Sequence, residues 1–168
     1  MVKGLLIDNY QTSILKVPGL LNCLKQGVLL LETVLDKGYG LGDSFTLPPK
    51  HVTQDMINRY ADAAEDHNPL HIDPDFARTT RFGGTIAHGM LSAAFLQELL
   101  MQVFGEAWVA NGEISINFMA PVHTGDFVTA EATVFAIKED RVTLRLTCTN
   151  QEGKKVISGK ASAIPLAD

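Results

Sequence analysis

Asp66-His67-Asn68-Pro69-Leu70-His71 sets a carboxylate and an imidazole five residues apart with a backbone break between them. On a helix, side chains four apart share a face. Pro69 prevents that here, because it disfavours helical geometry at Asn68 and cannot continue the hydrogen-bond ladder itself. Asp66 is therefore expected at the end of one element and His71 on the loop after it, with both side chains aimed at one point. A carboxylate and an imidazole around one water are what adding water across a double bond requires. Asn68, beside the pair, carries an amide that can hold a carboxylate or a water, or can equally serve an Asx-turn.

Gly89 is a third candidate, at the entrance of a strongly apolar helix. Unpaired N–H groups at a helix N-terminus, together with the macrodipole, favour a developing negative oxygen. Glycine lets a substrate carbonyl approach the backbone. His88, next to it, is close enough to shape such a site, whereas His51 and His123 read as ordinary loop or core histidines. Other chemistries find less support. His67 and His71 have the spacing of a helical metal pair, but Pro69 works against one shared face, so a metal there would need Asp66 or Asp73 as well. Gly83-Gly84 is not followed by the Gly-Lys-Ser/Thr of a phosphate loop, and no Gly-x-Ser-x-Gly elbow exists.

These residues need elements to position them. Thr53 can cap a helix beginning near Gln54, with Met56, Ile57, Tyr60, Ala61 and Ala64 on its apolar side, ending by Asn68-Pro69. Asp73-Pro74 reads as the N-cap and first residue of a short second helix through Phe76 and Ala77. A third helix is expected from about Met90 to Phe104, apolar around nearly its whole circumference and so buried, with Gly105 ending it. Strands follow. Ile114, Ile116 and Phe118 alternate with polar neighbours, as do Val128 to Ala136 and Val142 to Cys148, and a last strand runs from Lys155 to about Ile164. Hairpin-length connections at Lys138-Glu139-Asp140 and Asn150 to Gly153 make the last three strands antiparallel in sequence order. The expectation is an α+β fold in which an antiparallel sheet wraps around one long helix. Residues 1–41 form a separate leading segment, where Leu20, Leu24, Val28, Leu31 and Leu35 recur at helical spacing; residues 42–168 form the main domain.

Composition narrows the partners. With 168 residues the chain is one domain's length, and 14 Lys+Arg against 19 Asp+Glu give a net charge of −5, which argues against nucleic acid or an anionic membrane as partner. The apolar runs Gly4 to Ile7 and Val28 to Leu31 are too short for a signal core or a membrane span, and Cys23 and Cys148 lack a paired-ligand spacing. A reducing cytoplasm is the expected compartment.

Taken together, Asp66-x-Asn68-Pro69-Leu70-His71-x-Asp73, Ala87-His88-Gly89-Met90 and Phe118-x-x-Pro121-Val122-x-x-Gly125-Asp126 resemble the MaoC-like (R)-specific enoyl-CoA hydratases over about residues 42–164. The resemblance implies a hot-dog fold, a homodimer, an Asp66/His71 dyad supported by Asn68, and Gly89 as the oxyanion-hole residue. It also implies an acyl-CoA substrate and no metal or redox cofactor. Leu91 and Phe95 would line the acyl tunnel, and Arg78, Arg81, Lys154 and Lys155 are candidates for the CoA phosphates. Two features depart from the family pattern: Ala64, whose side chain cannot hydrogen-bond, stands where a hydroxyl or small residue is common, and the shortest members lack the leading segment. Dehydration of carrier-protein, branched or dicarboxylic thioesters, thioester hydrolysis, and thioester binding without turnover are the competing readings.

Overall fold

The computed structural model describes residues 38–166, and the leading amphipathic pattern of residues 20–35 lies outside them. Three long strands form the frame: β4 (Phe127–Lys138), β5 (Arg141–Asn150) and β6 (Lys155–Ala163). They pair antiparallel in chain order, as the hairpin-length connections require. Val128, Ala130, Ala132 and Val134 of β4 are buried with Val142, Leu144, Leu146 and Cys148 of β5, so one face of the sheet is apolar throughout. An extra residue between Val134 and Ala136 bulges β4, and such an insertion bends a strand and increases its twist. β1 (Ser44–Thr46) and β2 (Lys50–His51) both pair with β4 on one side, and Pro48-Pro49 divides them. β3 (Glu113–Phe118) pairs with β6 on the other, giving the order β1-β4-β5-β6-β3 with β3 at the edge. Gly159 of β6 is required there. A Cβ at that position would lie 2.3 Å from the Ser115 carbonyl oxygen.

Four short or medium helices and one long one complete the chain. They are α1 (Gln54–Ala64), α2 (Pro69–Ile72), α3 (Pro74–Arg78), α4 (Gly89–Phe104) and α5 (Glu106–Asn111). α4 lies on the apolar face of the sheet, where Leu96, Leu99 and Leu100 join Leu144, Leu146 and Ile157 in the core. Each such side chain contributes about 1.5–3 kcal/mol when fully buried. The sequence pattern overstates the burial of α4, because Met90 and Met101 are exposed and the helix keeps a solvent face. Tyr39, assigned on sequence to the leading segment, packs into this core and donates its hydroxyl proton to the Val103 carbonyl at 2.5 Å. α5 and β2 have no counterpart in the sequence reading. α5 is too short to show a helical period, and β2 is two residues long.

Candidate active site

Asp66 is aimed by the way α1 stops. Thr53 caps the helix start by accepting the Met56 N–H at 3.1 Å, and the helix runs to Ala64. Glu65 then turns left-handed, with φ 54° and ψ 28°, and the N–H groups of both Glu65 and Asp66 turn back to the Ala61 carbonyl. A non-glycine residue in this region is uncommon, and here it swings Asp66 off the helix axis. Asn68 has its side chain committed: its Oδ1 accepts the Leu70 N–H at 3.0 Å, which caps α2 with Pro69 at the first helical position. Pro69 therefore starts a helical turn as well as ending a helix, and His71 sits on that turn rather than on a loop. Asn68 reaches Asp66 through its backbone, whose N–H lies 3.4 Å from Asp66 Oδ1, and the Asx-turn reading is the one its side chain follows.

His71 is fixed at its ring. Nδ1 lies 2.7 Å from the carbonyl oxygen of Ile86, an acceptor only, so Nδ1 carries the proton and Nε2 presents a lone pair. One donor atom each from Asp66, His71 and His88 falls within 4.8 Å of the others. His88 is buried at 3% exposure and donates its Nε2–H to the Asp66 backbone carbonyl at 2.9 Å. Its ring stacks on His71 with centroids 3.8 Å apart and packs against Tyr60 at 4.9 Å. His88 thus backs the pair instead of lining the space where a ligand would lie. The stacking bears on metal binding too. Lone pairs of two stacked imidazoles run alongside each other and do not converge on one ion, which makes this cluster a poor three-ligand site. His67, the other histidine of the proposed metal pair, turns away to Asp62 at 3.0 Å.

A cavity of about 330 Å³ opens beside His71, large enough for a thioester and a short acyl chain, and Gly89 forms part of its wall. Its apolar lining comes from Phe82, Ile86, Phe118, Val122 and Ile157. Leu91 and Phe95, expected to line a tunnel, are instead buried in the core. They point from the sheet-facing side of α4, which periodicity alone cannot tell from a cavity-facing side. Phe118 and Val122 belong to the third sequence motif but had no site role assigned; their presence in that motif was the available signal. Gly89 also makes room for an aromatic ring. A Cβ there would lie 3.0–3.2 Å from the Phe118 ring, so the glycine seats that ring against the helix start. Among the basic candidates, Arg81 lines the cavity with its guanidinium 4.9 Å from the Phe82 ring, while Arg78 is paired to Asp75 in solvent. Lys154 and Lys155 are exposed at the last hairpin, where Lys155 opens β6.

The model of the MaoC like domain matches residues 39–157. The chain belongs to the MaoC-like family. Within that family it is 40% identical over 121 residues to the (R)-specific enoyl-CoA hydratase of Rhodospirillum rubrum, an alignment spanning 68% of this chain and 81% of that one. It is 43% identical over 108 residues to the enzyme of the same name from Aeromonas caviae, spanning 62% and 80%. The solved (R)-hydratase from A. caviae superposes with a TM-score of 0.69 at 34% identity, covering 76% of this chain and 98% of that one. The fold of this MaoC-like chain is accordingly the α+β hot-dog expected from its sequence.

Proposed function

We propose that this chain is a hydro-lyase that reversibly hydrates trans-2-enoyl-CoA to (R)-3-hydroxyacyl-CoA, with Asp66 and His71 as the catalytic pair. One observation carries the reading: a carboxylate lies within 4.8 Å of an imidazole with a free Nε2, and that imidazole opens on a cavity that also touches the N-terminus of a 16-residue helix. Both groups are acceptors, which suits them to the two hydrogens of a single water. The water oxygen bonds to the β-carbon as the pair takes one of its protons. Electron density moves from the double bond onto the thioester oxygen, and the pair returns a proton to the α-carbon. Proton count closes, and the pair ends as it began. The proton transfer is assigned to the pair as a whole. The Gly89 N–H, at the start of α4, is the donor proposed for the developing oxyanion, a contact typically worth about 3 kcal/mol.

Relatives named (R)-specific enoyl-CoA hydratases support the substrate class. A homodimer is supported by the outer edge of β3, which is unpaired among the described residues and where Ile114 and Phe118 stand 37% and 53% exposed. Such an edge would invite self-association unless covered. Among the described residues no helix is long and apolar enough to cross a membrane, and the cytoplasm is the compartment this function implies. The decisive experiment is hydration of a series of enoyl-CoA substrates from crotonyl-CoA upward, with product chirality determined. Formation of the (R) product, fastest for chains the 330 Å³ cavity admits, is the expected result. Absence of turnover throughout the series, or an (S) product, would overturn it.

A further inference from the structure

We infer that Gln54, clamped by Thr85 and Thr124, is a positioning residue that holds His71 in its working orientation and tautomer. This rests on His71 being half of the reacting pair.

Gln54 is the first residue of α1, far from the pair in sequence. Its Nε2 donates to the His71 backbone carbonyl at 2.8 Å and to Asn58 Oδ1 at 2.9 Å. Its Oε1 receives the Thr85 hydroxyl at 2.7 Å and lies 3.1 Å from that of Thr124. The His71 carbonyl can only accept, which turns Nε2 toward it and leaves Oε1 to the two hydroxyls. The two threonine hydroxyls are themselves 2.8 Å apart, and the Thr124 N–H donates to the Thr85 carbonyl at 3.1 Å.

These contacts join three stretches of chain that share no element. Thr85 lies just before α4, Thr124 in the connection from β3 to β4, and His71 on α2. Thr85 is buried and immediately precedes Ile86, whose carbonyl fixes the His71 ring. The Leu70 carbonyl in turn accepts the Ile86 N–H at 3.4 Å. His71 is therefore gripped at its own carbonyl by Gln54 and at Nδ1 by Ile86, and Thr85 ties those two grips together. If the Ile86 carbonyl drifted, Nδ1 would lose its acceptor and the proton could move to Nε2. That would remove the lone pair the reaction needs.

Gln54→Glu tests this with little change in volume. A carboxylate still receives both threonine hydroxyls, but it faces the His71 carbonyl acceptor to acceptor. Thr85→Val removes the hydroxyl from the clamp, and Thr85→Ser restores it. The first readout is nitrogen NMR of the His71 ring, assigned through a His71→Gln reference. Wild type should show the Nδ1–H form; Gln54→Glu and Thr85→Val should show a mixture of tautomers, and Thr85→Ser the wild-type form. The second is turnover of crotonyl-CoA. kcat should fall at least tenfold in Gln54→Glu and Thr85→Val, KM should change less than threefold, and Thr85→Ser should recover most of kcat. Folded Gln54→Glu and Thr85→Val proteins with the wild-type tautomer and kcat would overturn the inference. The tautomer reading does not depend on the reaction. Wild-type protein that shows the Nδ1–H form, with the variant shifts, yet hydrates no enoyl-CoA would sink the proposed function while leaving the clamp standing.

Discussion

Asp66→Asn separates a chemical role for this residue from a structural one. The Asp66 side chain is 54% exposed, and its nearest backbone donor, the Asn68 N–H, is a long 3.4 Å away. Asparagine retains an Oδ1 that can receive that N–H, and the tie from His88 goes to the Asp66 backbone, which the substitution does not touch. Stability should therefore move by less than about 0.5 kcal/mol, as for surface changes remote from buried features. The reaction loses much more. An amide cannot take a proton from water, and a positioned acid–base group contributes about 10²–10⁴ in rate, or about 2.7–5.5 kcal/mol on the barrier. Loss of enoyl absorbance on hydration of crotonyl-CoA gives the rate, and urea unfolding gives the stability. The two readouts should diverge: an unchanged midpoint with kcat/KM reduced at least a hundredfold. A folded variant with near-normal turnover would refute the role assigned to the carboxylate. A large drop in midpoint would show instead that Asp66 holds the loop.

Further substitutions probe the surroundings. Gly89→Ala should lower crotonyl-CoA turnover by tenfold or more, because its methyl meets the Phe118 ring at 3.0–3.2 Å and that ring lines the cavity; thermal melting should show little loss, since half-exposed Phe118 is free to move outward. Cys148 is buried, and burial, reinforced by Glu131, pushes its thiol from 9.0 up to about 12. Its raised folded value means the associated stability is intact below pH 9 and is lost as pH rises toward 12, so Cys148→Val should flatten the alkaline decline in urea-unfolding free energy relative to wild type. Ile114→Lys puts a charge on β3, the edge strand among the described residues, and sedimentation should show a shift from dimer to monomer if copies meet there; an unchanged assembly would place the interface elsewhere.

The parts of this molecule that were legible in its sequence are those where one residue type has one physical use. The strand alternation from Val128 to Cys148 and the cap at Thr53 work this way, and both appear in the fold. Less legible were positions where a residue has two uses. Pro69 reads as a helix breaker and also starts α2; Asn68 reads as a ligand to the pair and caps a helix. Glu65 gave no warning of its left-handed turn, because glutamate has no preference for that conformation and only the packing at the end of α1 requires it. Leu91 and Phe95 were misplaced because an all-round apolar helix does not announce which side meets a sheet and which a cavity.

His88 illustrates how far tertiary context decides a role. Beside Gly89 in sequence, it looks as available to a ligand as its neighbour. In the fold its ring fills the space behind His71, donates to the Asp66 backbone, and leaves Nδ1 buried without a partner among the described residues. An unpaired buried acceptor costs stability that a leucine there would not. What the histidine provides in return is a single ring joined to both members of the pair: a hydrogen bond to the chain of one and a stacking face for the other. Leucine could fill the volume, but it could not donate to that carbonyl. Asp66, half in solvent and following a left-handed turn, would then lose its hydrogen bond to the ring that stacks on His71.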